Sequence, residues 1–292
     1  MYHAMKKSNC AVGRNSLICF LIKLSLFISL FFNISSAHSA GELLVAPTRV
    51  VFENRDRSTR VNLINTGTET TTYRIEFENK RMTETGQFVN VEKILPGDLF
   101  LDNMVRYSPR QVTLPPGQSQ AIRIILRKPA NLPEGEYRSH LLFRSIPSSS
   151  PSNIEDAVDP DSGQISIKLI PVLGISIPVI ARHGQLSAEI NITEMRYHSG
   201  DEAHISLALN RSGKQSVYGD LTATFTDQKG ESFVIGKANG VVVYTPNTLR
   251  RFKLPVQASP GLQINKGKLQ ISFHEKAKAG GKLLTESTIS IP

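Results

Sequence analysis

The chain has 292 residues, with 34 Lys or Arg and 25 Asp or Glu, which gives a formal net charge of +9. That length is enough for two domains of ordinary size, each with a core of its own. Because the basic residues are spread along the chain, the charge excess gives little support to nucleic-acid binding, and we expect no nucleic-acid partner.

Residues 1–40 have the features of a secretory signal peptide. The basic positions are Lys6, Lys7, Arg14 and Lys23. They precede a largely apolar run, Leu24–Phe32, and a series of small residues that ends at Ala40. The run is short for a membrane span, so we predict cleavage between Ala37 and Ala40, export, and no membrane insertion of the mature chain. An uncleaved membrane anchor is the alternative.

Both cysteines, Cys10 and Cys19, lie within this predicted signal peptide. The exported chain would therefore have no thiol, so it could form no disulfide and carry out no cysteine chemistry. An exported protein without disulfides depends on its hydrophobic cores for stability.

Residues 41–182 read as a β-sandwich. Six stretches are rich in β-branched and aromatic residues: Val50–Phe52, Arg60–Asn65, Thr71–Phe77, Gln120–Arg127, Tyr137–Ile146 and Ile165–Val179. Turn-forming segments such as Asn65–Gly67, Leu95–Asp98 and Pro115–Gly117 separate them, and no stretch has a sustained helical period. Roughly seven short strands in a domain of this size predict an immunoglobulin-like sandwich. The polar segment Ser148–Gly163 is predicted to be a flexible loop between neighbouring strands.

The last of these stretches, residues 164–182, has an apolar residue at every second position. The series is Ile165, Ile167, Leu169, Pro171, Leu173, Ile175, Ile177 and Val179. This period predicts a strand with one continuous hydrophobic face. Pro171 and Pro178 cannot donate a backbone hydrogen bond, so we place the strand at the edge of a sheet. A long apolar edge invites pairing with another chain, which makes this strand a candidate binding surface and would also permit self-association.

Residues 183–292 contain a second series of strands. These are Leu186–Ile192, Ala203–Leu209, Leu221–Thr226, Phe252–Val256, Leu269–Phe273 and Thr288–Ile291. Asp227–Gly230 and Gly280–Gly281 supply turns between them. The predicted fold class is therefore all-β, with two immunoglobulin-like β-sandwich domains.

The sequence contains no recognisable catalytic or metal-binding motif. Its histidines lack the spacings HxH and HExxH, and it has neither a Gly-x-Ser-x-Gly elbow nor a phosphate-binding glycine loop. Ala279–Lys282 is better explained as a hairpin turn, and Asn191–Thr193 matches a glycosylation acceptor at a level expected by chance. We therefore expect no enzyme activity, no cofactor and no metal.

Three motifs of the first domain together resemble a known family. They are Pro47–Phe52, Leu114–Arg123 and Gly135–Leu141, and the polar insert and the alternating strand follow them in the same order as in that family. They resemble the periplasmic chaperones of chaperone–usher pilus, or fimbrial, assembly. The resemblance covers about residues 43–182, and the Gly135–Leu141 motif with the absence of cysteines points to the archaic-type branch.

The resemblance implies a periplasmic chaperone that caps pilus subunits and delivers them to an outer-membrane usher. A pilus subunit lacks the last strand of its own sandwich, and the chaperone lends an edge strand in its place, which is donor-strand complementation. The donor residues implied here are Ile165, Ile167, Leu169, Pro171 and Leu173. Ile175, Ile177 and Val179, closer to the domain junction, are expected to pack in the chaperone's own core.

The resemblance also implies a cationic anchor for the carboxylate at the subunit's C-terminus. Arg49 matches the arginine that the family places between its domains, and a guanidinium can hold a carboxylate through two hydrogen bonds. Classical members have a lysine in the strand that corresponds to Ile175–Val179, and this sequence has Ser176 near that position, so the second cation departs from the family pattern. Arg138 is the candidate substitute. Lys168 is a weaker candidate because its parity sets it opposite the donor side chains.

Two other functions are weighed against the chaperone. A secreted sandwich protein that is itself a structural component or pilus subunit would use its edge strand for polymerisation, although such subunits often contain cysteines. An enzyme on a sandwich scaffold should show a cluster of acidic, histidine or serine residues, and the sequence shows none.

Overall fold

The computed structural model describes residues 43–147, 172, 174–257 and 261–292. Strands dominate these residues, and the prediction of an all-β fold with two sandwiches is confirmed. Two short 3-10 helices, Asp102–Met104 and Ala277–Ala279, accompany the strands. No helix among the described residues is long and apolar enough to span a membrane.

The first sandwich is built from two sheets and one separate hairpin. Its strands are β1 (Leu43–Ala46), β2 (Val50–Phe52), β3 (Ser58–Asn65), β4 (Thr71–Glu78), β5 (Lys80–Met82), β6 (Phe88–Asn90), β7 (Val105–Ser108), β8 (Gln111–Leu114), β9 (Ser119–Leu126), β10 (Gly135–Ile146) and β11 (Gly174–His183). One sheet has the order β1-β3-β9-β7, the other has the order β2-β11-β10-β4-β8, and β5 pairs with β6. The described part therefore has more strands than the seven predicted, because several consist of only three or four residues and show no clear alternation.

The second sandwich uses longer strands. They are β12 (Ala188–His198), β13 (His204–Gly213), β14 (Val217–Asp227), β15 (Ser232–Val243), β16 (Leu249–Pro255), β17 (Gly267–Glu275) and β18 (Leu283–Ile291). The sheets have the orders β12-β13-β16 and β15-β14-β17-β18. All six predicted strands overlap with observed ones, and β15 was missed. Ala279–Lys282 lies in the connection between β17 and β18, as the hairpin prediction requires.

Strand β11 corrects part of the edge-strand prediction. It pairs antiparallel with β10 along its whole length, and β2 pairs with its other side at Val179–Ala181. The strand is therefore central in that stretch, since its second neighbour begins directly after Pro178. Among the described residues no strand pairs with the same side at Gly174–Pro178, so that stretch is an edge.

Alternation along β11 also decides what its side chains contact. Ile177 and Val179 are buried in the core of the first sandwich, and Ile175 packs against that core. These three positions behave as predicted. The side chains of the opposite parity face the second sandwich, where Ile180 is fully buried in the second hydrophobic cluster.

Candidate functional site

The cleft between the sandwiches is lined on one side by the outer face of the sheet that contains β2, β11 and β10. Val51, Ile180 and Arg138 are neighbours across these three strands. Val51 and Ile180 pack with the second hydrophobic cluster, so this face is directed at the second sandwich. Arg49 has the same parity as Val51 and precedes it by two residues, which places it on the same face.

A buried carboxylate connects the two sandwiches at one end of this face. Glu136 on β10 is 1% exposed and lies 3.0 Å from Nε of Arg182. It also accepts hydrogen bonds from the backbone N–H of Ser216, at 3.2 Å, and from the Ser216 hydroxyl. Glu53 pairs with the same arginine, at 2.5 Å, but its side chain is about half exposed. Of the two carboxylates that pair with Arg182, Glu136 is the buried one, and its hydrogen bonds to Ser216 join the two sandwiches.

Replacing Glu136 with Ala should destabilise the protein by roughly 3–5 kcal/mol, because it leaves a buried amide and a partly buried guanidinium without their partner. Urea unfolding of the purified protein measures the effect. The matched control is Glu53→Ala, which removes the exposed partner of the same arginine and should cost about 0–1 kcal/mol. Equal losses in both variants would contradict a connecting role for Glu136.

Two arginines from distant parts of the sequence meet at one aromatic ring in the cleft. Cζ of Arg49 lies 5.3 Å from the ring centroid of Tyr244, and Cζ of Arg138 lies 4.2 Å from the same centroid. Nη1 of Arg49 donates a hydrogen bond to the Tyr244 hydroxyl at 2.8 Å, and its guanidinium also lies 4.6 Å from the ring centroid of Tyr218. The two cations are held by π-systems and by one hydroxyl.

Arg138 is the more unusual of the two. It is 4% exposed, and its Nε and Nη1 have no hydrogen-bond partner in the described part of the chain. Burial lowers its pKa, and the nearby charge of Arg49 lowers it further, although Glu136 and Asp98 act in the opposite direction. A buried guanidinium with two unbonded N–H groups is costly for folding, so this arrangement points to a ligand-binding role.

A cavity of about 280 Å³ opens beside Arg49 and the Tyr244 ring, and Arg138, which contacts the same ring, lies outside the lining. Its lining includes Arg49, Lys80, Phe88, His140, Ser176 and Tyr244. Lys80 pairs with Glu78 at 2.9 Å, and the Ser176 hydroxyl donates to the same carboxylate at 3.2 Å. Cationic and aromatic groups therefore surround a space large enough for a small carboxylate.

His140 forms part of the wall of this cavity. It is 2% exposed, and its ring meets the Phe88 ring edge-on, with 4.9 Å between centroids. Burial lowers its pKa to about 3, with further contributions from Arg138 and Lys80. The ring is therefore neutral in the folded protein at any pH well above 3.

This shift predicts a loss of stability in acid. The unfolded chain binds a proton at His140 near pH 6.5, and the folded chain does so only near pH 3. The contribution of the neutral ring to the free energy of unfolding is therefore complete above pH 6.5 and is lost as the pH falls towards 3. The full loss amounts to roughly 3–5 kcal/mol. Urea unfolding of wild type and His140→Phe at several pH values measures it: their difference should change across this window. Parallel curves would contradict the prediction.

The structure brings together some of the residues selected from sequence and leaves others outside its range. Arg49 and Arg138 share the Tyr244 ring, and Ser176 is on the cavity wall but bonds to Glu78. The donor residues Ile165, Ile167, Leu169, Pro171 and Leu173 lie outside the described residues, as do Lys168 and residues 1–40. The roles assigned to them stay predictions.

Five charged or aromatic cleft residues were missed by sequence reasoning. They are Lys80, Phe88, His140, Tyr218 and Tyr244. His140 lies within a motif that was recognised, and its parity with Arg138 was the available signal. Phe88 and Tyr244 come from a three-residue strand and from the residue after β15, and nothing in their local sequence distinguishes them from other strand aromatics.

The solved structures to which this chain is similar are chaperones, one of them from a chaperone–usher pilus system. No protein-family model and no curated protein matches the chain. The YadV chaperone matches at 13% identity over 86% of this chain and 100% of that chain, with a TM-score of 0.44. The CsuC–CsuE chaperone–tip adhesion subunit complex of the archaic Csu pili of Acinetobacter baumannii matches at 16% identity over 86% and 98%, with a TM-score of 0.42. The CupB2 chaperone of Pseudomonas aeruginosa matches at 12% identity over 85% and 98%, with a TM-score of 0.42. Identity this low transfers no residue's role, so the role of each cleft residue depends on its own contacts.

Proposed function

We propose that this chain is a periplasmic chaperone of the chaperone–usher family, which captures pilus subunits and delivers them to an outer-membrane usher. In this proposal the subunit's terminal carboxylate binds in the cleft between Arg49 and Arg138. The segment that contains Ile165, Ile167, Leu169, Pro171 and Leu173 pairs with the subunit as its missing strand. No catalytic step or cofactor is part of the mechanism.

The observation that carries the proposal is the pair of guanidinium groups at the Tyr244 ring. Among the described residues, Arg138 has two buried N–H donors without a partner, and the Tyr244 hydroxyl is the only hydrogen-bond partner of the Arg49 guanidinium. A carboxylate accepts hydrogen bonds from two guanidinium groups at once and neutralises part of their charge. The ligand thus supplies the acceptors that the described protein lacks around Arg138.

The unpaired side of β11 supports the second half of the proposal. Its described edge at Gly174–Pro178 directly follows the segment of alternating apolar residues. The same strand leads from this edge to Ile180, which is buried against the second sandwich beside Arg138. A subunit strand that paired along this edge would therefore run towards the two arginines, so one client could use both features.

Co-expression with candidate subunits tests the proposal. Subunits encoded near this chain's gene are produced in the periplasm with and without the tagged protein, and the tagged protein is then purified. We expect a stable one-to-one complex and degradation or aggregation of the subunit when it is produced alone. If the tagged protein instead forms polymers with itself and retains none of the subunits, the proposal is wrong and a self-assembling structural protein is favoured.

A further inference from the structure

The unpaired polar atoms of the described chain are concentrated at one place. Six buried side-chain nitrogen and oxygen atoms lack a hydrogen-bond partner in the part of the chain that the structure describes, and four of them belong to Arg138 and His140. These residues are two apart on β10 and share the face directed at the cleft. Natural proteins rarely leave such groups unsatisfied, so one ligand that binds both Arg138 and His140 would account for the cluster.

We propose that His140 is a third ligand of the carboxylate bound in the cleft, and that its ring gains a proton when the carboxylate binds. The inference rests on the proposed function for the identity of that carboxylate. His140 is 2% exposed, lies on the wall of the cavity that Arg49 also lines, and has neither ring nitrogen bonded within the described chain.

The surroundings of the ring explain why a carboxylate is needed. Across the sheet, the neighbours of His140 are Glu78 on β4 and Pro178 on β11. Proline has no N–H to donate, and the Glu78 carboxylate is engaged by Lys80 and Ser176. No acceptor in the described structure is therefore bonded to the imidazole N–H.

Burial is the main cause of the low proton affinity of the ring, and the positive charges that face it lower that affinity further. Arg138 on its own strand and Lys80 on β5 oppose protonation, and Arg49 adds positive charge to the same cavity. Phe88, Tyr218 and Tyr244 complete the wall with neutral rings. A bound carboxylate adds a negative charge within hydrogen-bond reach of the ring, and that charge favours the imidazolium.

Proton uptake gives the site a pH dependence of a definite sign. The bound form holds one more proton than the free form between the two pKa values of His140, so affinity must rise as the pH falls through that window. The affinity stops rising when the carboxylate itself is protonated, near pH 3–4 for a chain terminus. A histidine that served only to pack against Phe88 would produce no such dependence.

Formate is a suitable minimal probe, because it is a carboxylate small enough for a cavity of about 280 Å³. The purified periplasmic protein, labelled for NMR, is titrated with formate between pH 5 and 8 at constant ionic strength, with formamide as the neutral control. We expect formate to convert the His140 ring to its protonated form near pH 5 and to bind roughly tenfold more tightly there than at pH 8. Formamide should do neither.

Two variants make the result specific. His140→Gln keeps a polar side chain that cannot gain a proton, and its affinity for formate should be nearly independent of pH. Arg49→Ala should lose the formate response of His140, because the carboxylate is then held poorly. The ring of the wild-type protein reports directly, so the test does not depend on how well a variant folds.

The outcomes separate this inference from the proposed function. If formate shifts the guanidinium signals of Arg49 and Arg138 while His140 stays neutral, and wild type and His140→Gln share one pH profile, the role of His140 is overturned and the arginine anchor stands. If formate shifts no NMR signal of a cleft residue, both the role of His140 and the arginine anchor are overturned. If the His140 response occurs but no subunit is captured, the carboxylate site stands and the chaperone assignment is wrong.

Discussion

Replacing Arg138 with Met should abolish subunit capture and leave the free protein at least as stable as wild type. The guanidinium is buried with two unbonded N–H groups, so an apolar side chain of similar length removes an unfavourable burial. In the complex the same change removes charge-assisted hydrogen bonds worth roughly 1.5–3 kcal/mol and leaves the client's carboxylate without its partner. Affinity should therefore fall by roughly one to two orders of magnitude or more. Arg49→Ala should have a similar effect on capture, while the protein stays folded.

Arg211 provides a matched control for this experiment. It is also buried, at 5% exposure, but its Nε and Nη1 both donate to backbone carbonyls. Its hydrogen bonds of 2.8–2.9 Å go to the carbonyl groups of Asn247, Gly213 and Gln215. Arg211→Met should destabilise the free protein in thermal unfolding and leave capture by the folded fraction intact. The anchor assignment would be refuted by folded Arg138→Met and Arg49→Ala proteins that both retain the subunit normally.

If the donor-strand proposal is correct, replacing Ile167 or Leu169 with Asp should eliminate subunit recovery without unfolding the free protein. Each aliphatic donor side chain contributes roughly 1.5–3 kcal/mol when it is buried in the client's groove. A charge facing that groove without a partner costs more than the lost contact. We expect the melting temperature of the free variant to stay within about 5 °C of wild type, because the donor-strand proposal places these side chains outside the protein's own core.

Ile177→Asp is the internal control for the same strand. Ile177 has the same parity as Ile167 and Leu169, but it is 2% exposed and lies in the first hydrophobic core. An unpaired charge there should unfold the free protein. Thermal unfolding and periplasmic recovery of the subunit are measured on all three variants. If Ile167→Asp and Leu169→Asp unfold the free protein as Ile177→Asp does, these positions belong to its core and the donor-strand proposal fails there.

Much of the fold could be predicted from the sequence, because strand formation depends on local alternation. In the predicted strand Arg60–Asn65 the side chains alternate between exposed and buried from Arg60 to Leu63, and the turn at Asn65–Gly67 is closed by the Asn65 side chain, as turn chemistry predicts. Short strands such as β5 and β6 have too few residues for a period to be visible. They form because Met82 is buried in the second hydrophobic cluster, a contact that local sequence does not encode.

For the candidate site, too, some features follow from local sequence and others only from tertiary contacts. The sequence alone determined that Arg138 belongs to a strand of the first sandwich, that Arg49 directly precedes one, and that residues 164–182 alternate, because these properties are local. Only the tertiary structure decided that β10 is buried on both faces, since the second sandwich covers the side that carries Glu136, Arg138 and His140. It also placed both guanidinium groups at Tyr244, which is 195 residues from Arg49 along the chain. Contacts over such distances depend on how two finished sheets pack, and no local pattern of residues specifies that packing.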